Sequence, residues 1–181
     1  MDIMDMIRDS LEKNKNLNKE VSDGIFELVI IFKNNFPNIN LENLNKRLKT
    51  LKIEKTSKFE KSNISNYNFK KNILYFNSEE IQKEYDVKHI MMFELLNIIT
   101  ATPTQTGFNT DNRLVALNVG FTEILANYLV GNNKELLIYP DETIMTNLIT
   151  TIVGFENMLY AYFNNDSKYL LNKMMEKGVE F

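Results

Sequence analysis

The sequence predicts an α+β domain, predominantly helical, with a small antiparallel sheet packed beside one buried helix. Three observations lead there. Gly (6) and Pro (3) are scarce among 181 residues, which favours long elements over a many-turned β fold. Apolar residues recur at helical spacing through most of the chain. Between Lys52 and Asn77, β-branched and aromatic residues take over instead. The length suits a single domain, residues 1–181, with helices in 1–51 leading into a core formed by 52–181.

Residues 2–14 carry Ile3, Met4, Met6, Ile7 and Leu11 on a helical stripe. A second helix is expected over about 19–35, stopped by Phe36-Pro37. Asn40 can cap a third, where Leu41, Leu44, Leu48 and Leu51 give a one-sided face that packs on its own domain. Three strands follow, over 52–57, 66–70 and 72–77, with Lys70-Lys71-Asn72 turning between the last two. Ser78 is placed to cap a short helix beginning Glu79-Glu80-Ile81. Residues 87–101 are apolar nearly all round, the pattern of a helix buried on most sides. A polar loop over 102–111 precedes a helix over about 112–130, ended by Gly131. Tyr139-Pro140-Asp141-Glu142 starts another helix, expected to run to about Phe163, and a last one spans 166–177 before Gly178.

Composition excludes several function classes. A net charge of −3 disfavours nucleic acid, which requires a clustered positive field. The densest basic stretch, Lys46-Arg47-Leu48-Lys49-Thr50-Leu51-Lys52 with Lys55, Lys58 and Lys61, is interleaved with Glu42, Glu54 and Glu60 and reads as a solvated helix face. The absence of cysteine removes disulfides, thiolate metal sites and cysteine nucleophiles. Met1-Asp2-Ile3-Met4-Asp5-Met6 is acidic where a secretory signal is basic, and Val29-Ile30-Ile31-Phe32 stops at Lys33, far short of a membrane span. A cytoplasmic protein without membrane contact is the expectation.

The chemistry-bearing pattern lies in the centre. A hairpin ending in the strand 72–77 precedes a buried helix carrying Phe93-Glu94-Leu95-Leu96-Asn97. A second helix carries Asn118-Val119-Gly120-Phe121-Thr122-Glu123. Over roughly 66–130 this order resembles the HExxH zinc metallopeptidases whose third ligand is a glutamate on a later helix, the gluzincins. In that family two histidines at i and i+4 reach one metal. The glutamate between them takes a proton from the metal-bound water, and a carboxylate behind holds a ligating histidine in its tautomer. The resemblance implies a zincin-like fold and assigns the ligand positions to Phe93, Asn97 and Val119, the general base to Glu94 and the supporting acid to Glu123.

Phe93 and Val119 have no donor atom, and the Asn97 amide is a poor zinc ligand. Zinc lowers the pKa of bound water from about 15.7 to about 7; without it Glu94 faces ordinary water. The expectation is a pseudopeptidase: no catalysis, no metal or other cofactor, and a role in binding an unidentified protein or peptide or in self-association. His89, the one histidine, reads as packed or surface rather than as a displaced ligand. Arg113 and the Tyr128 hydroxyl are candidate partners for Glu94 in the relic cleft. On the second helix, Ala116, Gly120, Glu123 and Asn127 share a face whose small residues allow the helix of Phe93 to come close. The alternatives are a hydrolase using Glu94 and Glu123 without metal or with a different cation, and an unrelated helical regulatory protein.

Overall fold

The computed structural model describes residues 2–56, 64–77, 87–108, 113–131 and 138–178. The elements run α1 Ile3–Lys13, α2 Lys19–Asn35, α3 Glu42–Leu48, β1 Lys52–Thr56, β2 Ser65–Asn68, β3 Ile73–Asn77, α4 Val87–Thr100, α5 Val115–Val130, α6 Pro140–Val153, α7 Phe155–Phe163 and α8 Ser167–Glu176. The architecture is α+β and predominantly helical. Side chains start the N-terminal helices: Asp2 accepts from the Ile3 N–H at 2.7 Å and Asn18 from the Val21 N–H at 2.9 Å. Asn40 accepts from the Glu42 N–H at 2.7 Å, but the cap position of α3 is Leu41, so Asn40 braces the helix from one residue before the cap.

The sheet is mixed, not antiparallel. Its order is β1-β3-β2, with β1 parallel and β2 antiparallel to β3. The tight turn through Asn72, which takes φ 55°, forces β2 onto one edge of β3 and leaves β1 the other. The chain then reverses twice between β1 and β3, which makes those two parallel. The helix expected from Ser78 falls outside the described residues.

The long helix expected from Pro140 to Phe163 is broken at Gly154. Its φ of 97° is open to glycine and costly for other residues. Just past the break the Phe155 ring lies 5.9 Å from that of Phe121 while remaining exposed on its other side.

One apolar core runs from Ile7 and Leu11 through Phe32, Leu48, Leu74, Leu96 and Phe121 to Tyr162 and Leu170. Polar ties from α3 cross it. Asn43 donates to the carbonyls of Ile99 and Ala101 at 3.2 and 2.7 Å. Arg47 donates to the Tyr67 hydroxyl, the Phe69 carbonyl and the Thr102 carbonyl at 2.9, 3.0 and 3.3 Å. Arg47 is therefore a clasp between α3, the hairpin and the end of α4, not part of a solvated basic face. Among the described residues no helix is long and apolar enough to cross a membrane.

Candidate functional site

The centre of the molecule is the pair α4 and α5. At one end the Thr100 hydroxyl oxygen accepts from the Gly107 N–H at 2.9 Å, and the Asn118 side chain accepts from the Phe108 N–H at 3.2 Å. At the other end His89 Nε2 meets Glu123 Oε1 at 2.8 Å. These bonds tie the end of α4 and the start of α5 to residues 107 and 108, and the start of α4 to the middle of α5.

His89 and Glu123 are both buried, which identifies His89 as a packed residue. Glu123 Oε1 also accepts the Ile138 N–H at 3.1 Å. Among the described residues, His89 Nδ1, Glu123 Oε2 and the hydroxyl of Thr146 on α6 are buried without hydrogen-bond partners. Such atoms are costly in a protein interior, so the pair is held by its packing rather than by full polar satisfaction.

Glu94 turns toward the sheet. Burial pushes its carboxyl up to about 7, against hydrogen bonds from the Ser65 side chain, the Asn97 side chain and the Tyr67 backbone. The Asn97 amide donates to Glu94 Oε2 at 3.1 Å. Arg113 and Tyr128 do not serve as its partners. Both are exposed, and the Tyr128 ring lies 6.3 Å from that of Phe36, because its helix position points out of the α4–α5 seam.

Phe93 is buried with its ring 5.5 Å from that of Tyr139. Val119 is half-buried. Phe93 lies one helical turn on from His89 along α4, and Val119 one turn back from Glu123 along α5. Tyr139 closes this end. Burial, and then the negative charges of Glu94, Glu123 and Glu142, raise its phenol well above the ordinary value, so it remains a neutral hydroxyl. Beneath, the Tyr162 hydroxyl lies 2.7 Å from that of Thr122.

At Gly120 the small-residue face of α5 meets α6. Ala116 is exposed, and a Cβ on Gly120 would stand 2.3 Å from both the Glu142 carbonyl oxygen and the Thr146 hydroxyl. Gly120 thus admits α6, while Glu123 on the adjoining surface meets α4. The polar loop after α4 is pinned where it is described: Gln105 donates to the Asn165 carbonyl at 3.1 Å, and the Asn165 amide bonds the carbonyls of Thr100 and Gly107.

No family model, curated protein or solved structure matches the chain. The chemistry of the site therefore rests on its own side chains. Among the described residues no three His, Asp or Glu side chains gather as a metal-holding group. What α4 and α5 do assemble is a buried His–Glu pair on one side of α4 and a buried carboxyl titrating near neutrality on the other. The hydrogen-bonding contact between His89 and Glu123, and the parts of Ser65, Tyr67 and Tyr139, lie beyond what the sequence predicts. One signal was present in the letters: His89 and Glu123 each stand in a nearly all-apolar helix, where an ionisable group requires a partner.

Proposed function

We propose that the chain is a metallopeptidase-like scaffold that no longer hydrolyses peptides and works in the cytoplasm by binding a protein or peptide partner. The observation that carries the reading is the occupancy of the three positions that resemblance assigns to the zinc ligands. Phe93 packs on Tyr139, the Asn97 amide is engaged on Glu94, and Val119 has no donor. A carboxylate in the general-base position then has no activated water to deprotonate. The test is zinc retention: protein incubated with zinc and desalted should keep well under one equivalent. Stoichiometric zinc held through His89 or Glu123 would overturn the reading.

A second reading, metal-free acid–base chemistry, is favoured by one observation, the elevation of Glu94 to about 7, the range in which a carboxyl can exchange protons at neutral pH. Glu94→Gln separates the two. Binding activity survives the substitution if the group is a relic, and a folded variant that loses a hydrolytic activity of the parent supports the alternative.

A further inference from the structure

On α6 the burial pattern is the reverse of the α4–α5 seam. Ile144, Met145, Leu148 and Ile152 are 60, 40, 64 and 46% exposed. These four large apolar side chains fall within an arc of about 100° on one side of the helix. Thr143, Thr146 and Val153 fill the opposite, buried side. Single exposed apolar residues are ordinary, whereas a contiguous face of them marks a binding surface.

Charge indicates what fits it. Asp141 stands in line with the stripe at its N-terminal end, and Glu156 follows its C-terminal end at the start of α7. Both are exposed, and neither forms an ion pair among the described residues. The described residues from Leu114 to Ser167 contain no Lys or Arg. A second copy is a poor occupant. Two-fold antiparallel pairing centred on Leu148 would set Asp141 and Glu142 of one chain against Glu156 of the other, and like charges brought together in an interface are penalised. An anionic lipid surface meets the same objection.

We propose that the outer face of α6 docks an amphipathic helix of a partner protein, with apolar residues spaced to match Ile144, Leu148 and Ile152 and Lys or Arg at both ends. Apolar burial along the stripe supplies the attraction, and the terminal acids fix register and select against acidic or identical partners. The surface is separate from the α4–α5 site, so the proposal stands whether or not the chain descends from a peptidase.

The test uses the full chain and two labelled synthetic helices, each with leucines at i, i+4 and i+8, one ending in lysines and the other in glutamates. Fluorescence anisotropy should show saturable binding of the lysine-ended helix. Affinity should fall at least about tenfold for Leu148→Asp, for Ile144→Ser and for the Asp141→Lys/Glu156→Lys double variant. The glutamate-ended helix should bind at least about tenfold more weakly to the parent. No saturable binding, equal binding of the two helices, or unchanged affinity in Leu148→Asp and Ile144→Ser would overturn the proposal. So would a dimer, seen by sedimentation, that Leu148→Asp dissolves, or cosedimentation with phosphatidylcholine vesicles that the same substitution abolishes.

Discussion

The α4–α5 seam and the outer face of α6 lie one helix apart and handle their side chains in opposite ways. The seam buries His89 and Glu123, and α4 buries Glu94 on its sheet side, groups that ordinarily remain in water. The α6 face leaves Ile144, Leu148 and Ile152 exposed, groups that ordinarily leave it. Among the described residues no other His, Asp, Glu, Lys or Arg is buried, so both departures carry information. Buried ionisable groups cost stability wherever their partners are incomplete, as the free Nδ1 of His89 and Oε2 of Glu123 show. Exposed apolar groups cost solubility unless something covers them. The contrast separates an interior that accommodates ionisable groups from a surface that presents apolar ones.

The sharpest way to break this contrast is to restore donors to the seam. If the gluzincin resemblance holds, Phe93→His, Asn97→His and Val119→Glu together build a His₂Glu set beside Glu94 with Glu123 behind it. Replacing Phe93 alone is expected to cost about 3–5 kcal/mol before metal is added. The triple variant should retain close to one equivalent of zinc after desalting where the parent does not. Zinc at about a hundred times its Kd should then return about 2.7 kcal/mol, read as a rise in Tm. A triple variant that folds but binds zinc no better than the parent would remove the peptidase resemblance.

The next effect is pH dependence from Glu94. Its carboxyl titrates near 4.5 in the unfolded chain and at about 7 in the folded one, so between those values the folded state holds the extra proton. Stability therefore falls as pH rises from about 4.5 to about 7, by about 3 kcal/mol from this group. Glu94→Gln should flatten that segment of the profile and gain on the parent at pH above about 7, checked by urea melts across the range. A slope identical to the parent's would mean that Glu94 is not the buried proton acceptor of α4.

Smaller effects locate the boundary between the two regions. Gly120→Ala brings a Cβ against the Glu142 carbonyl and the Thr146 hydroxyl and should destabilise by about 1–3 kcal/mol through overpacking. A neutral result would show that α6 can shift outward and that its exposed face is not rigidly presented. Arg113→Ala and Tyr128→Ala, on the exposed side of the same stretch, should each change stability by no more than about 0.5 kcal/mol. A larger loss at either would return that residue to the site.

Much of the fold was legible because its signals are local. The leucines of α3, the apolar run of α4 and the Tyr139-Pro140-Asp141-Glu142 start of α6 each announce a helix within a few residues. What escaped depends on contacts distant in sequence. β1 and β3 are parallel because β2 pairs on the other side, and no pattern within Lys52–Thr56 states that. The break at Gly154 was hidden by helical periodicity on both sides of it, although the glycine itself was visible. In the site, Glu94 and Glu123 were singled out from the letters. Their partners were not, because Ser65 and Tyr67 reach Glu94 from the sheet and His89 reaches Glu123 across 34 positions. Gly120 was read as a close-approach residue, and only the packing identified its neighbour as α6.

The clasp made by α3 also has a consequence in time. Arg47 is fixed by acceptors at Tyr67, Phe69 and Thr102, 20, 22 and 55 residues downstream, and Asn43 by carbonyls 56 and 58 residues downstream. During synthesis α3 emerges well before the groups that anchor it. At about 5–20 residues per second the wait for Thr102 is roughly 3–11 s, while a helix itself forms in about a microsecond. For those seconds α3 can lean only on elements that precede it, chiefly α1, and the face that α4 covers in the folded chain stays bare until α4 has emerged.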